Sequence, residues 1–231
     1  MNKKYYAHSL PGRPKSEWQP LEEHLEKVAK LADEFARYFG GSSWARLTGY
    51  NHDVGKGTLP WQAYLRHANE IMDDFVQYYT GRVEHAALGA QRLYERSKEA
   101  GKLLAYCIAG HHGGLQNWND FPENSLKIRL GKKWPKIEIP MDDSELPERL
   151  PFATPDGTLF GFQLQFFVRM LFSCLVDADF LDTESALCKK RSGWRSNYMG
   201  LTELRKPFWS NFNQLRNKAE KTKVKRQREV V

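Results

Sequence analysis

Apolar side chains recur at spacings of three and four along residues 21 to 39, at Leu21, Leu25, Val28, Leu31, Ala32, Phe35 and Phe39, which describes one face of an amphipathic helix. Pro20 stands before this run and Gly40-Gly41 behind it, the usual start and stop signals. A second helix is expected from about 43 to 53, broken by Gly55 and Gly57, and a short third one after Pro60 through Trp61 and Leu65. Further helices are predicted over 84 to 95, over 102 to 112 and through a long apolar segment from about 159 to 181, and the sequence is helix-prone again beyond Leu201. Strand-like alternation is hard to find, so the fold class is all-α. Around residues 113–158 the pattern fails: this stretch holds six of the eleven prolines and the acidic run MDDSELPE. It reads as a long irregular excursion, which in compact domains often serves as a lid or binding loop.

Length and composition narrow the picture. A chain of 231 residues supports one sizeable core. No run approaches the roughly 18 to 20 apolar residues of a membrane span, so no membrane is expected among the partners. The start, MNKKYYAHSLPG, lacks the apolar stretch of a secretory signal. Three cysteines without a C-x-x-C pair fit a reducing cytoplasm, the expected location. The net charge of +7 is concentrated at the C-terminal end, where residues 189–231 carry 13 Lys and Arg against 3 acidic residues. Such a stretch suits either a nucleic-acid backbone or a solvated helix face.

Seven histidines carry the candidate chemistry, and five of them fall at related places. His24 lies on the apolar stripe of the first helix. His52 ends the second and is followed by Asp53, and His85 begins the "HAALGAQRL" helix. His111 and His112 end the nearly uncharged "LLAYCIAGHH", where Gly113-Gly114 would leave both rings at its mouth. The apolar segment "FFVRMLFSCLVDADFLDTE" is interrupted by Asp177 and Asp179, and carboxylates are seldom buried without a positive partner. Helical phase turns Asp179 inward, in line with Val168 and Phe172, and leaves Asp177 capping or supporting. Imidazoles and carboxylates without thiolates suit first-row divalent ions, and six or seven such ligands are too many for one ion. Two are implied, with Asp53 placed to bridge them and their joint charge making hydroxide available from water near neutral pH.

Taken together, "YYAHSLPG", "HDVGKGTLPWQAYL", "EHAALGA", "AGHHGGL" and "LVDADFLDTE" resemble the HD superfamily of metal-dependent phosphohydrolases, and in detail the HD nuclease domain of the CRISPR-associated nuclease-helicase of type I interference systems. The resemblance spans about residues 5 to 185. It implies an HD-domain helical bundle over 1–200, with 201–231 as a basic helical extension or linker leading to a helicase. No Walker A loop occurs in the chain, so that helicase would be a further domain or a separate subunit.

The family pattern implies one ion held by His24, His52, Asp53 and Asp179, and a second by Asp53, His85, His111 and His112. The expected ions are two divalent transition metals, Mn, Fe, Co or Ni before Mg or Zn. Asp53 and Lys56 are the expected catalytic residues, Lys56 holding the scissile phosphate. His8 is expected to contact phosphate or support the site rather than ligate. The implied reaction is hydrolysis of single-stranded DNA, in the company of a helicase and a guide-RNA surveillance complex. The alternative is a phosphohydrolase acting on dNTPs or cyclic nucleotides. Trp118, Phe121 and Trp134, interleaved with Lys127, Arg129, Lys132 and Lys133, would either stack bases and contact phosphates or simply pin the excursion to the core.

Overall fold

The first helix forms where the apolar stripe places it: α1, Leu21–Ala36, buries Leu21, His24, Leu25, Val28, Ala29, Ala32 and Ala36 along one side. A 3-10 turn over Arg37–Phe39 extends it, and Gly40, in the left-handed region at φ 72°, stops it. These features belong to a computed structural model that describes residues 4–81, 83–121, 125–142, 144–152, 157–195 and 199–218.

Helix α2, Ser42–Asn51, lies against α1. Their approach is close because position 49 is glycine: a Cβ there would come within 2.6 Å of the Ala29 Cα. Next come α3, Leu59–His67, capped by the Thr58 side chain accepting from Trp61 N, then α4, Ala86–Arg96, and α5, Ala100–Gly110. After the excursion the chain returns as α7, Phe160–Leu187, which packs on α1, α2 and α5. The shared core includes Val28, Leu93, Leu104, Ile108, Leu171 and Leu175, all fully buried. Each such side chain stabilises the fold by roughly 1.5–3 kcal/mol relative to exposure.

The all-α expectation holds, with a small addition. Strands β1, Tyr6–His8, and β2, Gln19–Pro20, pair antiparallel just before α1. Segments of three and two residues are too short to display an alternating pattern, which is why sequence periodicity passes over them. The excursion is irregular apart from α6, Leu126–Leu130, which starts where the Ser125 hydroxyl accepts from Ile128 N. Farther along, the excursion returns to the turn after α2, where Glu138 N donates to Gly57 O (2.9 Å).

The chain divides into two compact units, one up to Lys189 and one from Lys190 onward. Between Lys189 and Arg195 runs the short α8, and the second unit contains α9, Leu201–Lys218, with Pro207 inside it and none of its side chains buried. The rest of the expected basic extension, 219–231, lies outside the described residues. Among the described residues no helix is long and apolar enough to cross a membrane.

Candidate metal centre

Three helix ends and two helix faces converge on Asp53. Helix α2 stops at Asn51, and the chain enters a 3-10 turn over Val54–Gly57 that sets His52 and Asp53 side by side, both buried. His85 is the residue immediately before α4, His111 caps α5, His24 sits on the buried face of α1, and Asp179 reaches in from α7. Glycines make the convergence feasible. A Cβ on Gly89 of α4 would collide with the Asn51 carbonyl, and one on Gly55 with the His85 backbone.

The Nε2 atoms and carboxylate oxygens fall into two sets. In the first, His24 Nε2 and His52 Nε2 are 3.2 Å apart and lie 3.5 and 3.4 Å from Asp53 Oδ2. The same two nitrogens lie 3.5 and 3.6 Å from Asp179 Oδ1. In the second, His85 Nε2 and His111 Nε2 lie 3.3 and 3.4 Å from Asp53 Oδ1, and His112 Nε2 is 2.9 Å from His85 Nε2. Four donors at about 2.1 Å from a tetrahedral ion stand about 3.4 Å from one another, and neighbouring donors of an octahedral ion about 3.0 Å. Both sets match those separations. Each oxygen of Asp53 belongs to a different set.

Hydrogen bonding points the same way. At the ends of α2 and α5 the ring Nδ1 of His52 donates to Gly49 O, and that of His111 to Ile108 O, both at 2.7 Å. Each bond satisfies a carbonyl of the last helical turn and turns the other nitrogen, Nε2, toward Asp53. Asp53 Oδ1, Asp53 Oδ2 and His111 Nε2 are buried without a well-directed hydrogen bond, although the Lys56 ammonium lies 2.6 Å from Oδ2. Buried polar atoms are rarely left so, and a cation bound in each set would satisfy all three.

Electrostatics agree with the geometry. Burial would depress the His52 pKa, but Asp53 and Asp179 outweigh it and push it up to about 10. Burial would raise Asp53 and Asp179. Instead Lys56 and His52 hold Asp53 well below the carboxylate range, and His52 does the same for Asp179. The pocket therefore retains positive charge beside ionised carboxylates. By contrast, burial and then Lys56 lower His8 to about 3, and burial and then His111 lower His112 to about 4, which keeps both rings neutral with lone pairs to offer.

The structure brings together His24, His52, Asp53, His85, His111, His112, Asp179 and Lys56. It leaves Asp177 exposed on the other side of α7. His8, expected to stand back from ligation, joins the first group: one of its ring nitrogens clusters with donor atoms of His24, Asp53 and Asp179, while its Nε2 is 3.2 Å from Thr183 Oγ1.

Trp118 lies partly buried against the core. Its ring meets Tyr94 and Tyr106 with Lys102 Nζ 3.9 Å over it, against the face of α5 that carries Lys102 and Tyr106. These contacts pin the excursion to the core, one of the two roles expected of it. Arg129 is likewise engaged, donating to Ala109 O (2.6 Å), Gln116 Oε1 and Glu84 Oε1 (2.8 Å), and so tying α6 to the ends of α4 and α5 that carry the histidines. Sequence reasoning missed Asp182, buried and accepting from His24 Nδ1 (2.7 Å). A signal was available, since Asp182 lies three residues beyond Asp179 on the same helical face.

A family model described as "Cas3, HD domain" matches residues 10–144, a span that includes His24, His52, Asp53, Lys56, His85, His111 and His112. No curated protein matches the chain.

Proposed function

The chain belongs to the Cas3 HD-domain family, whose members are metal-dependent phosphohydrolases and nucleases, and from that premise we propose that it hydrolyses phosphodiester bonds of single-stranded DNA at a two-ion centre in CRISPR interference. One observation carries the proposal: the two oxygens of Asp53, buried and without well-directed hydrogen bonds, face different sets of imidazole nitrogens. His24, His52, Asp53 and Asp179 would hold one ion, with His8 at its edge. Asp53, His85, His111 and His112 would hold the other. When bound, such a pair supplies Lewis acidity at phosphate and lowers the pKa of water toward neutrality.

The chain's own residues do the rest. Asp53 fixes the spacing of the two halves. Lys56, set in the same buried turn, neutralises a non-bridging oxygen of the scissile phosphate as charge develops there. His112 is exposed at the surface, so the centre opens outward in a way that suits a polymer better than a closed nucleotide pocket. Helix α6, tied beside that opening by Arg129, carries the exposed Lys127, with Lys132 and Lys133 just beyond it, as phosphate contacts along the approaching strand.

The test offers the purified chain single-stranded DNA, dNTPs and cyclic nucleotides with Mn2+ or Ni2+. Cleavage of DNA with the nucleotides intact is expected. Turnover of dNTPs with DNA intact would establish the nucleotide phosphohydrolase instead.

A further inference from the structure

The two halves of the centre are not supported alike. In the first, the imidazoles of His24 and His52 are fully buried and both are held from behind. His52 donates through Nδ1 to Gly49 O, and His24 donates through Nδ1 to Asp182 Oδ2. Asp182 is itself buried, and the same oxygen accepts from Gln19 Nε2 at 2.6 Å. In the second half, His111 donates to Ile108 O, but among the described residues no hydrogen bond fixes the Nδ1 of His85 or of His112. His112 is also exposed.

A carboxylate behind a ligating imidazole sets its tautomer, locks its orientation and raises its basicity, and losing such a partner typically costs 10–100-fold in metal affinity. A ring with a free Nδ1 at the surface must instead be ordered when the ion arrives, and it exchanges its place with water. We infer that the His24–His52–Asp179 half is the high-affinity site and fills first, that the His85–His111–His112 half is the weaker and exchangeable one, and that Asp182, itself no ligand, is the positioning residue that sets the difference. The inference rests on the two-ion reading above.

Calorimetric titration of the metal-free chain with Mn2+ tests it, with Co2+ absorption spectra as a second readout. Wild type should show two classes, the first at least 10-fold tighter. Asp182→Asn should weaken that tight class 10–100-fold and shift the Co2+ band of the first equivalent, while the second class stays near its wild-type affinity. His112→Gln should lose the weak class and keep the tight one. Two classes of equal affinity, an unchanged tight class in Asp182→Asn, or equal weakening of both classes by that change would each overturn the inference while leaving two ions in place. Binding of only one ion by wild type would overturn the two-ion reading together with it.

Discussion

His52 and Asp53 share one buried position in the turn after α2, and each sets the charge of the other. With its pKa pushed up to about 10 by Asp53 and Asp179, His52 is protonated at neutral pH in the metal-free protein. Its value in the unfolded chain is near 6.5. This group therefore stabilises the metal-free fold fully below pH 6.5 and loses that contribution as pH rises through about 10. An ion arriving at the first set must displace that proton. Between pH 7 and 9, calorimetry in buffers of different ionisation enthalpy should show about one proton released with the first equivalent of Mn2+. A binding enthalpy independent of buffer would argue against this. Lys56 has a separable role: Lys56→Ala should lower the rate of DNA cleavage roughly 100- to 1,000-fold while two ions still bind. Loss of metal in that variant would show that Lys56 serves mainly to hold Asp53. The residues that gather around Asp53 are legible because five histidines fall at helix ends or on a buried stripe and helical phase turns Asp179, not Asp177, inward. Asp182 is harder to assign, because its partner, the Nδ1 of His24, lies 158 residues away and meets it only through packing.

At the scale of elements, the centre depends on backbones coming closer than most side chains allow. Gly89 lets α4 approach the last turn of α2, so that His85 reaches the same carboxylate as His52. Gly89→Ala forces a methyl group into the Asn51 carbonyl. It should cost about 1–3 kcal/mol in chemical denaturation, and it should weaken the second equivalent of Mn2+ before the first. A variant with wild-type stability and metal binding would show that α4 can shift without consequence. Periodicity made α1, α2, α4, α5 and α7 readable in the sequence, since each runs for ten or more residues with a buried side. The same approach sees Gly55 and Gly57 only as helix breakers, because spacing records where a helix stops and not what packs against the gap. It is equally blind to α6 and to the paired strands, which are shorter than a usable period.

Across the whole molecule, residues distant in sequence complete one another. The family match ends at 144, yet Asp179 and Asp182 lie on α7, and the packing of α7 on α1 and α2 brings them to His24 and His52. The excursion, irregular for most of its length, contributes Arg129 as a tie across the other half of the centre and packs Trp118 against the core. That excursion was recognisable from its prolines and broken periodicity, but which of its side chains turn inward depended on packing that no local pattern encodes. The central claim, two ions bridged by Asp53 acting on a single strand, is tested most directly by following cleavage of a labelled single-stranded DNA as a function of Mn2+ bound per chain. Cleavage should be negligible at one equivalent, rise to its full rate as the second binds, and be absent at every loading in Asp53→Ala. Full activity with a single ion bound, or a rate unchanged by Asp53→Ala, would contradict it.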